Sequence, residues 1–65
     1  MSEIDEIKDR VKKLNARATR LKMDLHDLSE ELPIGWERIL DVASEAHAAF
    51  KELAEARAHL KAAGG

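Results

Sequence analysis

Apolar residues recur at Ile4, Ile7, Val11, Leu14, Ala18, Leu21, Leu25, Leu28 and Leu32, alternating spacings of three and four without a break. With Ile4 as a and Ile7 as d, every a and d position over four heptads is apolar, the signature of a coiled-coil seam and not of a strand. Ser2 stands where an N-cap belongs, and Glu3, Asp5 and Glu6 place negative charge where the helix dipole favours it. The pattern predicts a first helix from about Glu3 to Glu31. Pro33 cannot continue it and drives Leu32 out of the helical region. With Gly35 two residues on, Leu32 to Gly35 reads as a turn short enough to return the chain antiparallel.

The second helix is expected from about Trp36 to Ala62, stopped by Gly64 and Gly65. Its seam reads Trp36, Ile39, Ala43, Ala46, Phe50, Leu53 and Leu60, with Arg57 interrupting near the free end. Leu40, Val42, Ala49, Ala54 and Ala56 widen the apolar face beyond what one partner helix requires, as in a bundle core. The alanines allow close helix approach. The fold class expected is all-α: a single domain over residues 1–65, an antiparallel two-helix hairpin of coiled-coil type that assembles into a four-helix bundle as a homodimer, tetramer or other oligomer. The expected oligomer core comprises Leu14, Leu21, Leu25, Leu28, Ile39, Phe50 and Leu53.

Composition strengthens the oligomer expectation. Of 65 residues, 37% are charged and 3% aromatic, a balance typical of long helices. Ordering a chain costs about 1.5 kcal/mol per residue, which one thin seam rarely offsets. No cysteine is present to supply a disulfide or a thiolate zinc site. No apolar run nears the roughly 18 residues of a membrane span, and the acidic N-terminus lacks the apolar core of a secretory signal. A cytoplasmic protein without membrane contact is expected.

Charge is uneven along the first helix. Lys8, Arg10, Lys12, Lys13, Arg17, Arg20 and Lys22 form a basic stretch, followed by Asp24, Asp27, Glu30 and Glu31. One reading is a solvated face with ion pairs to neighbouring helices; the other is an anion-binding or RNA-binding surface. The net charge of −2 and the absence of aromatics within the basic block weigh against nucleic acid.

Thr19, Met23, His26 and Glu30 follow at spacings of four, three and four, one stripe facing away from the seam. Each has an ordinary reading as a solvated side chain. Together they suggest a second interface or a ligand site. His26 and Glu30 lie one helical turn apart, so an imidazole nitrogen and a carboxylate oxygen can converge on one ion, with Asp27 as an alternative carboxylate. A two-fold axis near His26 would complete a His2Glu2 set suited to zinc, nickel or another borderline divalent metal. His47 and His59 read as structural or solvated. No nucleophile–base pair, Gly-rich phosphate loop or zinc-protease motif occurs, so no catalytic residue is assigned and an enzyme is not expected.

The run Leu21-Lys22-Met23-Asp24-Leu25-His26-Asp27-Leu28-Ser29-Glu30-Glu31-Leu32-Pro33, closing with Trp36, resembles the signature of the Rop-like small helical-hairpin proteins of unknown function found in bacterial nitrogen-fixation gene clusters. The similarity extends more loosely over nearly the whole chain, including the leading heptads and Phe50 to Leu53. The resemblance implies an oligomerising hairpin, a setting near nitrogenase and its cofactor assembly, and divalent-metal binding through the signature histidine, here His26. Ile34 is more apolar than the polar residue the family would place in the turn. The expected function is a non-enzymatic accessory protein of nitrogen fixation that binds a nitrogenase component or maturation factor through Met23, His26, Glu30 and Trp36. The alternatives are a divalent-metal protein using His26 at a subunit interface and an RNA-binding bundle.

Overall fold

A computed structural model describes residues 2–64. Two helices, α1 (Glu3–Glu31) and α2 (Ile39–Ala62), lie antiparallel and pack against each other along a body 48 × 14 × 12 Å. No strand occurs among the described residues. The Ser2 hydroxyl accepts a hydrogen bond from the Asp5 backbone N–H at 3.2 Å, satisfying one of the donors that an α-helix leaves free at its start.

The reversal occupies residues 32–38. Leu32 leaves helical geometry at ψ 142°, as the following proline demands. Ile34 N–H donates to the Glu31 carbonyl at 3.0 Å. Gly35 turns the chain at φ +80°, the left-handed region that a residue without Cβ enters at no steric cost. Trp36–Arg38 then forms a 3-10 turn, with Arg38 N–H donating to the Gly35 carbonyl at 2.9 Å. The sequence reading begins an α-helix at Trp36, whereas α2 starts at Ile39. No side chain caps either the 3-10 turn or α2, and a tightened first turn is a common solution when orphan amides lack a side-chain acceptor. At the far end Ala63 and Gly64 N–H donate back to the His59 and Lys61 carbonyls. Gly65, the other half of the expected stop, lies outside the described residues.

In α1 the expected seam is the packed one: Ile7, Ala18, Leu21 and Leu28 are buried, and Ile4, Val11, Leu14 and Leu25 half-buried. In α2 the seam is rotated from the expected one. The buried residues are Val42, Ala46, Ala49, Leu53 and Ala56, again spaced four, three, four, three. Ala46 and Leu53 belong to both registers. Ile39 and Phe50, expected as core, are 37% and 43% exposed within the chain, and Arg57 lies outside the seam. The reason is volume. Ala18, Ala46 and Ala49 bring the helix axes close, and a phenylalanine ring at the centre of the contact would wedge them apart.

The hairpin is thin. It exposes 5125 Å², against about 4200 Å² for a folded monomer of its mass. The difference, roughly 950 Å², is close to the roughly 800 Å² that one partner contributes to a standard protein interface.

Candidate functional site

The two flanks of the helix pair differ. On a helical wheel, at about 100° per residue, an a position is bordered by e and then b, and a d position by g and then c. In α2, Ala46 and Leu53 take a, Val42, Ala49 and Ala56 take d, and Ala43, Phe50 and Arg57 take e. Asn15 is an e residue of α1, and Arg57 Nη2 donates to its Oδ1 at 3.2 Å across the pair. The a/e flanks of both helices therefore lie on one side. The opposite side is marked by a shallow hollow lined by Glu3, Ile7, Arg10, Glu55, Ala56 and His59, all d, g or c positions.

The a/e side is open. Val11 and Leu25 are half-buried there, and Leu32, Ile39 and Phe50 are exposed. Trp36, 63% exposed, continues the Ala43–Phe50 row at seven-residue spacing, and Leu40, 81% exposed, borders it at b. Among the described residues, apart from Met23 and the turn residue Ile34, every exposed large apolar side chain lies on this side. A contiguous apolar set on so small a chain is the kind of surface that another molecule or segment covers.

Charge is segregated the same way. The e and b positions carry five bases, Lys8, Lys12, Lys22, Arg57 and Lys61, and one acid, Asp5, a net of +4. The g and c positions carry nine acids and five bases, a net of −4. The polar side is internally complementary, with Arg10 facing Glu52 and Glu55 across the pair. The open side has cations and no acid set to meet them.

The structure divides the site residues read from the sequence. His26, at b, and Trp36 fall on the open side. Met23 and Glu30 are f residues on the back of α1, and Asp27, at c, faces the acidic flank. His26 Nε2 and Glu30 Oε1 lie 3.8 Å apart with both side chains about two-thirds exposed, and the Ser29 hydroxyl donates to the His26 carbonyl at 3.0 Å. Among the described residues no group of three or more His, Cys, Asp or Glu side chains could hold a metal ion. Of the predicted ligands the chain brings together the His26–Glu30 pair, which suits a borderline divalent metal in chemistry but not in number. The basic stretch is solvated throughout, with Lys13 paired to Asp9 at 3.0 Å. The open groove escaped the sequence reading because Ile39 and Phe50 were placed in the seam; the one available signal was the concentration of lysines at e and b.

No helix among the described residues is long and apolar enough to cross a membrane. Residues 2–64 match a family model described as Rop-like. A UPF0437 protein of Azorhizobium caulinodans is 51% identical over 94% of this chain and 88% of its own length. A Frankia alni protein described as a UPF0437 protein in the nifX-nifW intergenic region is 60% identical over 69% of this chain and 55% of its own. A solved NMR structure from a structural-genomics programme is 52% identical and superposes with a TM-score of 0.86 over 95% of this chain and 89% of that one.

Proposed function

The chain belongs to the Rop-like family, and from that premise we propose that it is a non-enzymatic accessory protein of nitrogen fixation that docks a nitrogenase component or maturation factor on the open side of the hairpin. The observation that carries the docking role is the exposed row of Ile39 and Phe50 beside half-buried Leu25, on a chain with about one interface's worth of surplus surface. The place of the Frankia relative between nifX and nifW supports the nitrogen-fixation setting. Self-association through the same face, giving the four-helix bundle expected from the sequence, is the competing cover. The test is capture from nitrogen-fixing cells with tagged wild type and Phe50→Glu, bound proteins being identified by mass spectrometry. Recovery of a nitrogenase or maturation protein by wild type alone supports the reading. Equal recovery by both variants, or recovery of the chain's own copies only, sinks it.

A second reading rests on the His26–Glu30 pair at 3.8 Å. Two copies related by a two-fold axis near His26 would bring two imidazoles and two carboxylates to one divalent ion.

A further inference from the structure

We propose that the outer face of α1 is a self-association surface of its own, on which two copies pair antiparallel about a two-fold axis beside Met23. Arg20 of each then meets Asp27 of the other, and Arg17 meets Glu31. The pairing goes beyond the docking reading and is independent of what covers the open side, because Met23 lies on the back of α1, at f. Among the described residues Met23, 60% exposed, is the large apolar side chain that stands apart from both the open side and the turn. Charge changes sign at this methionine. From Lys8 to Lys22 seven bases stand with one acid, Asp9; from Asp24 to Glu31 four acids stand with no lysine or arginine. The helix itself does not favour that order. Its last turn carries Glu30 and Glu31 and no base, at the end where the dipole is negative and cations are preferred. Nor does the hairpin neutralise it. Among the described residues the ion pairs are Lys13 with Asp9 and His26 with Glu30, and Arg17, Arg20, Asp27 and Glu31 take part in neither.

A face basic along one half and acidic along the other is its own complement under a two-fold rotation, the symmetry of an isologous interface. Parallel pairing would set bases on bases and acids on acids. Antiparallel pairing about an axis between Met23 and Asp24 brings together residues equally far on either side of it. Arg20 and Asp27 are equally far from that axis, and at about 100° per residue both lie within about 60° of Met23 on the same side. Arg17 and Glu31 repeat the match one turn further out. Ala16 and Thr19 are small, so the helix axes can approach to the roughly 8–10 Å of packed helices, with the two methionines in contact at the centre. The His26–Glu30 pairs of the two copies stay about 13 Å apart along the helices in this arrangement, so the pairing needs no shared metal ion.

The chain has no cysteine, so single-cysteine variants read the pairing directly. In EDTA with oxidised glutathione, Met23→Cys is expected to form a disulfide-linked dimer at least about tenfold faster than Ala16→Cys, because a disulfide needs Cα atoms within about 7 Å. Both positions are exposed on the same outer face. Across the axis residue 23 meets its own copy, whereas residue 16 lies about 22 Å from its own. The advantage is expected to vanish at about 1 M salt, where the Debye length falls to about 3 Å. In the Met23→Cys background, Arg17→Glu/Arg20→Glu and Asp27→Lys/Glu31→Lys are each expected to lose the advantage. An equimolar mixture of the two is expected to regain it, as a mixed dimer identified by mass. A folding defect in either variant could not produce that recovery. Phe50→Glu, altered on the open side, is expected to leave the crosslink unchanged. Equal rates for Met23→Cys and Ala16→Cys, or a mixture no faster than its components, overturn the proposal. So does a crosslink that requires added zinc, which would assign the pairing to a shared ion, or one that Phe50→Glu removes, which would place the contact on the open side.

Discussion

Arg57 reaches across the hairpin to the side chain of Asn15, donating at 3.2 Å, and that bond marks how α2 is rotated about its axis. An arginine in the seam would have to bury its charge; at e it keeps the charge in water and bridges the two helices along the open side. Replacing Arg57 with leucine should therefore change thermal stability little, by less than about 1 kcal/mol, the usual worth of a solvated hydrogen bond. A gain well above that in a thermal melt would mean that the arginine interrupts the core and that α2 is packed in the other register.

The legibility of the two helices differs for a physical reason. In α1 every seam layer carries an apolar side chain and most are large, so one rotation buries them all, and the sequence shows which. In α2 two rotations compete. One collects Trp36, Ala43 and Phe50, the other Val42, Ala49 and Ala56, and Ile39, Ala46, Leu53 and Leu60 serve both. Hydrophobicity favours the first, and close packing against α1 the second, because Ala49 fits where Phe50 does not. A helical-wheel reading weighs hydrophobicity and has no measure of interaxial distance. The all-α two-helix architecture was legible because the heptads, Pro33 and Gly35 agree. The candidate site was only half legible: His26 and Trp36 lie on the open side, while Ile39, Phe50 and the lysine rim become a groove only once the rotation of α2 is known.

The two registers can be separated by stability. Leu53 is 2% exposed, and Leu53→Ala should cost about 2–5 kcal/mol through lost burial and a residual cavity; Leu28→Ala, equally enclosed, should behave alike. Phe50→Ala should cost under about 1.5 kcal/mol in the unpartnered hairpin, where its ring is already largely in water. Urea unfolding at low protein concentration measures all three. A Phe50→Ala loss matching that of Leu53→Ala would place the ring in a buried interface under those conditions.

The turn offers a sharper substitution. Gly35 has φ +80°, and a Cβ added there would lie 3.2 Å from Leu28 Cδ1, tighter than a relaxed carbon contact. Leu28 is itself buried. Gly35→Ala should cost about 1–3 kcal/mol, combining left-handed strain with the displaced leucine. Gly35→Asn should cost less, because asparagine tolerates that backbone region better than alanine. Equal losses for the two would indicate that the contact with Leu28, and not the backbone angle, sets the penalty.

A metal site at His26 would need donors from a second chain, and stoichiometry would expose that dependence. A hairpin alone presents Nε2 of His26 and Oε1 of Glu30, two donors where tetrahedral zinc takes four. If two copies share an ion, calorimetric titration of tag-free protein should give one zinc or nickel per two chains. Sedimentation should then show metal-induced dimerisation, and both signals should vanish in His26→Ala and weaken in Glu30→Gln. One ion per chain with no change in mass would remove the shared site, and binding that survives His26→Ala would assign the ion to other side chains.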